Sequence, residues 1–108
     1  MKGLVERERG FEAEFKRNEE LAFRVTARRN RLFGLWAAGR LGLAAGEPAE
    51  TYAKSVVAAD FEAPGDGDVI AKVRTDLAAQ GIAVTEAELR SELERAAAEA
   101  RRQLAARD

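Results

Sequence analysis

The sequence predicts an all-α protein: a four-helix bundle with a projecting, partly mobile N-terminal helical arm. Three observations carry this. Alanine, leucine, glutamate and arginine dominate, aromatics make up only 6% of the chain, and β-branched residues are scattered, which together favour helices over sheets. Four segments carry apolar residues at helical spacing, separated by glycine- or proline-bearing breaks. With 108 residues the chain can bury one modest core and not two, so one bundle is expected.

The first helical run begins near Val5 and reaches Leu43 without a proline. From Val5 to Asn18 it is mostly charged, with Leu4, Phe11 and Phe15 as a narrow apolar stripe and Gly10 in its middle. A helix through Gly10 costs about 1 kcal/mol relative to alanine, so this arm is expected to fray when it has nothing to pack on. From Leu21 the apolar pattern thickens. Leu21, Val25, Leu32, Leu35 or Trp36, and Leu43 share a broad face, Arg24, Arg28 and Arg31 lie largely off it, and Gly42 marks the stop. The small residues Gly34, Ala37, Ala38 and Gly39 suit close helix packing around a core Trp36.

Glu47-Pro48 opens the second helix, since proline at a first helical position lacks only a donor that is not needed there. Tyr52, Val56 and Ala59, flanked by Ala53 and Val57, form its inward face. The stretch Ala63-Pro64-Gly65-Asp66-Gly67 breaks the chain, and Asp66 or Asp68 is expected to cap a third helix carrying Val69, Ile70, Val73 and Leu77. Gly81 ends it. Thr85 and Glu88 then make a capping box, Val84 is placed to staple onto Leu89, and Leu89, Leu93, Ala96, Ala100 and Leu104 form the last stripe.

Helix lengths divide the chain. A helix from Val5 to Leu43 would be roughly 58 Å long, whereas one from Glu86 to Ala106 reaches about 31 Å. The bundle can therefore cover only residues 21–108, and residues 1–20 are left as an arm for reaching a partner.

Chemistry is sparse. Histidine and cysteine are absent, so Ser55 and Ser91 have no imidazole base, and disulfides and thiolate metal sites are excluded. The carboxylates of the fourth helix are interleaved with Arg90, Arg95, Arg101 and Arg102, as on a solvated face. Asp66-Gly67-Asp68 lacks the remaining ligands of a calcium loop. No enzyme activity and no cofactor or metal is expected. No run is long and apolar enough for a membrane span, and no signal peptide fits the charged start.

Net charge is −1, yet residues 1–43 carry ten Lys/Arg against six Asp/Glu and the remainder eight against thirteen. The basic cluster Arg28-Arg29-Asn30-Arg31 thus has two readings: contact with nucleic acid, or ion pairing with the acidic helices that follow or with a protein partner. A helix-turn-helix reading of the third and fourth helices is opposed by Glu86 and Glu88 at the start of the would-be recognition helix.

Longer motifs bear on the choice. Phe11-Glu12-Ala13-Glu14-Phe15, Glu19-Glu20-Leu21-Ala22-Phe23-Arg24, Ala27-Arg28-Arg29-Asn30 and Leu35-Trp36-Ala37-Ala38 resemble the zeta subunit family of alphaproteobacteria, intrinsic inhibitors of the F-type ATP synthase. The resemblance continues through Tyr52-Ala53-Lys54, Ala59-Asp60-Phe61, Asp68-Val69, Asp76-Leu77-Ala78 and the end from Glu99 to Gln103. It implies a four-helix bundle whose N-terminal segment inserts into a catalytic interface of the soluble head and blocks ATP hydrolysis. Carried onto this chain, it implies that Glu6, Arg7, Glu8, Phe11, Glu12 and Phe15 form the inserted face, with Glu19, Glu20 and Arg24 near its root. Lys16-Arg17-Asn18 stands where members commonly carry Ala-His-Asp. The implied protein is monomeric when free, binds no nucleic acid, and works in the cytoplasm, peripheral to the inner membrane when bound to the synthase.

Overall fold

A computed structural model describes the backbone of residues 2–61 and 65–107 and the side chains of residues 17–61 and 65–106. Four helices follow in order: α1 (Lys2–Arg40), α2 (Glu47–Ala59), α3 (Gly67–Ala79) and α4 (Glu86–Arg107). No strand occurs among the described residues. The centre is α1. It packs chiefly on α2 and α4, while α3 closes the remaining side with lighter contacts to all three.

The ends of the helices follow from local chemistry. After α1, Gly42 takes φ +78, so that the Gly42 N–H donates to the Gly39 carbonyl and the Leu43 N–H to that of Ala38. After α3, Gly81 takes φ +73 and the same pair of bonds runs from Gly81 to Ala78 and from Ile82 to Leu77. Both are Schellman closures, which need a left-handed residue and therefore favour glycine. Pro48 lies in the first turn of α2, as expected. At the start of α4 the Thr85 hydroxyl accepts from the Glu88 N–H at 3.1 Å, and Val84 packs on the core that Leu89 enters.

The third helix begins differently from expectation. Asp66 holds the cap position, but its backbone is already helical (φ −85, ψ −7) and its side chain makes no cap hydrogen bond. Instead its Oδ1 lies 3.0 Å from a guanidinium nitrogen of Arg29 on α1. Asp68 falls inside the first turn, where it complements the helix dipole without capping. The expected break at Ala63 and Pro64 lies outside the described residues, and Gly65 beside it has φ +93.

The core joins Phe33 and Ala37 of α1, Val56 of α2, the four stripe residues of α3, and Leu89, Leu93 and Ala96 of α4. All expected stripe residues of α3 and α4 are buried. On α1 the face is rotated from the expected one. Asn30, Phe33, Ala37 and Ala38 are buried, Leu32 and Trp36 sit at the margin of the core, and Leu21 and Leu43 are exposed. Phe33, not Trp36, is the central aromatic, with the Trp36 ring stacked on it at 5.7 Å. Two causes are visible. Leu43 lies past the Gly42 closure, and Leu21 lies a turn beyond Val25, where Leu104 of α4 forms the last buried layer.

At Gly34, α1 and α2 touch through their backbones. A β-carbon there would stand 2.8 Å from the Ala53 Cα and 3.2 Å from Cβ atoms of Ala53 and Val56. That close approach is what small residues allow, and it explains why Ala53 is fully buried while Tyr52 and Val57 on either side are half-buried.

Candidate functional site

The Arg28-Arg29-Asn30-Arg31 cluster lies where α1 meets the other three helices, and each arginine is engaged by a different one. Arg28 donates to Oε1 of Gln103 on α4 at 3.1 Å. Arg29 pairs with Asp66 at the head of α3, and Arg31 holds Glu50 of α2 through two hydrogen bonds of 3.2 and 2.6 Å. Between them Asn30 is 1% exposed, and its Oδ1 accepts from Nε and Nη2 of Arg29 at 3.0 and 2.9 Å. A buried amide needs such partners, and these also fix the guanidinium that reaches Asp66. Of the two readings of this cluster, the geometry shows the ion pairing with following helices. Ion pairs near a surface are worth little in energy, but these two and the Arg28–Gln103 hydrogen bond are directed and set the helices' positions around α1.

Below the clamp, α1 leaves the bundle. Every residue from Arg17 to Arg24 is exposed, and the first half-buried side chain is Val25. Glu19, Glu20 and Arg24, expected at the root of the arm, are thus all on the surface, and none makes an ion pair among the described residues. The expected anchors Glu6, Arg7, Glu8, Phe11, Glu12 and Phe15 lie outside the described side chains.

Elsewhere the polar groups are tied into the fold. The Tyr52 hydroxyl donates to Oδ2 of Asp76 at 2.8 Å, and Lys72 donates to the same oxygen at 3.0 Å while lying over the Tyr52 ring. Burial first, then the hydrogen bond and charge of Asp76, push the Tyr52 phenol well above its ordinary value. Ser55 donates to the Tyr52 carbonyl at 2.6 Å. Glu99 on α4 is held down to about 2 by hydrogen bonds from Arg102 and Gln103. No group of three or more metal-ligating side chains comes together among the described residues. Nor is any described helix long and apolar enough to cross a membrane.

The geometry is therefore that of a clamped bundle continuing into an exposed helical segment. The family model described as ATPase inhibitor subunit zeta matches residues 1–103. The chain belongs to this family. Its members are described as inhibitor subunits of the ATPase, which supports an inhibitor role for this chain and implies binding to the ATP synthase. Among curated proteins none matches the chain. The match begins at residue 1, so it takes in the first half of α1 as well as the packed helices.

The interhelical clamp was only half legible in the sequence. Opposite charges on the two parts of the chain signalled pairing, but which arginine meets which helix depends on helix order and could not be read from spacing. Asn30 gave no signal, because a buried asparagine and an exposed one are spelled alike.

Proposed function

We propose that this zeta-family chain inhibits ATP hydrolysis by inserting its N-terminal segment into a catalytic interface of the synthase's soluble head. Residues 1–20 act as the inhibitory arm, and residues 21–108 as the bundle that holds it. One observation supports this most: α1 is a single helix from Lys2 to Arg40 whose second half is clamped and whose residues 17–24 are all exposed. A helix anchored at one end can carry its other end into a cleft as a continuous rod. Glu6, Arg7, Glu8, Phe11, Glu12 and Phe15 are the inserted face, with Glu19, Glu20 and Arg24 meeting the rim. Phe11 and Phe15 lie four apart on one helical side and supply the apolar anchors, while the charged residues meet charges along the cleft. The free subunit is monomeric, and the bound one sits on the cytoplasmic head, peripheral to the membrane.

The test is ATP hydrolysis by the cognate head titrated with the full chain and with a chain lacking residues 1–19, with circular dichroism as the folding control. The truncated chain should remain folded and fail to inhibit. Phe11→Ala with Phe15→Ala should reproduce most of that loss, whereas Glu6→Gln should cost much less. Full inhibition by the truncated chain would remove the arm from the mechanism.

A further inference from the structure

Where α1 emerges from the bundle, two shallow grooves run along it, one beside Val57 of α2 and one beside Leu104 and Ala105 of α4. Leu21 and Leu104 line both grooves. Phe23 lines the first, and its ring centroid lies 6.5 Å from that of Phe61; the two side chains are 61% and 70% exposed. Large exposed apolar side chains gathered at one end of a small domain mark an interaction surface more often than scattered ones do. The bundle does not use them.

The charges of these grooves are of one sign. Arg24, Arg28 and Arg31 line the first and Arg101 the second, and no carboxylate lines either among the described residues. Arg31 is answered by Glu50 and Arg28 by the neutral Gln103, whereas Arg24 and Arg101 make no ion pair among the described residues. In a chain of net charge −1, an apolar floor with an arginine-only rim is a local departure that selects an acidic, apolar ligand. Shape narrows it further. Leu21, Arg24, Arg28 and Arg31 follow one another at helical spacing over about 15 Å of α1, which matches two to three turns of a second helix laid alongside.

We infer that this surface is a second docking site on the synthase head, taking an amphipathic helix whose apolar stripe is edged by Asp and Glu. The identity of the partner rests on the inhibitor reading, but the surface lies beyond the inserted face, sharing with it only the root of the arm at Arg24, and acts in a different way. It raises the affinity of the subunit and leaves the block itself to the arm. Two linked contacts bind more tightly than either alone because the second forms within the complex.

The experiment compares three full-length chains in titrations of ATP hydrolysis by the cognate head: the unaltered chain, Phe23→Ala with Phe61→Ala, and Arg101→Glu. All three altered residues are exposed, and melting followed by circular dichroism checks that the fold is kept. The aromatic double variant should need about tenfold more protein for half-inhibition while reaching the same plateau. Arg101→Glu should also shift the curve, and its shift should shrink as salt is raised. Curves that superpose on that of the unaltered chain would overturn the docking site and leave the inhibitor reading intact. An unaltered chain that neither binds nor inhibits the head would overturn both. Sedimentation of the free chains closes the remaining route: a dimer that the aromatic double variant turns into a monomer would assign the surface to a second copy and overturn the inference.

Discussion

Tyr52 shows how one side chain can report the packing of two helices. Its ring bridges α2 and α3, with the hydroxyl on Asp76 and Lys72 above the ring, and it is the only tyrosine in the chain. The neutral phenol is favoured in the fold because ionising it would bury a second negative charge beside Asp76. Its folded value lies above the ordinary one of about 10, so its contribution to stability is complete below that pH and is lost as pH rises toward the folded value. Tyrosinate absorbance in the folded protein should thus stay silent through pH 10, and Asp76→Asn should bring the titration down toward the ordinary range. A phenol titrating normally in the intact chain would mean the bridge is open. Glu99 works in the other direction. Its value is lowered to about 2, so the stability it lends is present above its unfolded value and falls away as pH drops through the acid range. Half-exposed and screened by solvent, it contributes little, and Glu99→Gln should flatten the acid limb of the stability profile only slightly.

Among the helices, the crossing of α1 and α2 is the least forgiving. Gly34→Ala would gain about 1 kcal/mol of helix propensity but drive a methyl group against the Ala53 backbone, an overpacking that costs about 1–3 kcal/mol. Backbone cannot step aside as a flexible side chain can, so the variant should be less stable, with a lower denaturant midpoint at unchanged slope. Phe33→Ala should cost about 3–5 kcal/mol, and Trp36→Ala distinctly less because Trp36 lies at the margin. Thr85→Ala should cost about 1 kcal/mol through loss of the bond to Glu88. These contrasts also mark what was legible in the sequence. The stripes of α3 and α4 are sparse and regular, so periodicity alone identified their buried faces. On α1 apolar residues from Leu32 to Ala38 go nearly all the way round, and spacing fits more than one face. The deciding facts were a buried asparagine and the two backbones meeting at Gly34, and neither has a periodic signature. Asp66 departs from the expected cap bond for a related reason: a local cap competes with Arg29, which lies far away in sequence and close in space.

Across the whole molecule, the proposed division of labour between arm and bundle makes a prediction about stability as well as inhibition. Every buried residue among those described lies at Asn30 or later, and the three arginine contacts that position α2, α3 and α4 arise at Arg28, Arg29 and Arg31. The side chains from Arg17 to Arg24 are all exposed, and a helical stretch with little packing opens readily in water. Amide hydrogen exchange in the free chain should therefore change within about two turns, from fast through Asn18 to slow from Val25 onward. Removing residues 1–19 should leave the slow amides and the melting midpoint unchanged, because every buried residue among those described is retained. Arg29→Ala should do the reverse. It strips Asn30 of its partner and frees the head of α3, so protection should fall in the bundle while the arm's own exchange, already fast, stays as it was. Binding to the synthase head would then slow exchange in the arm, since a segment ordered on arrival gains protection where it docks. Uniform protection from the N-terminus onward in the free chain would instead mean that the arm is already docked and must be released before it can insert.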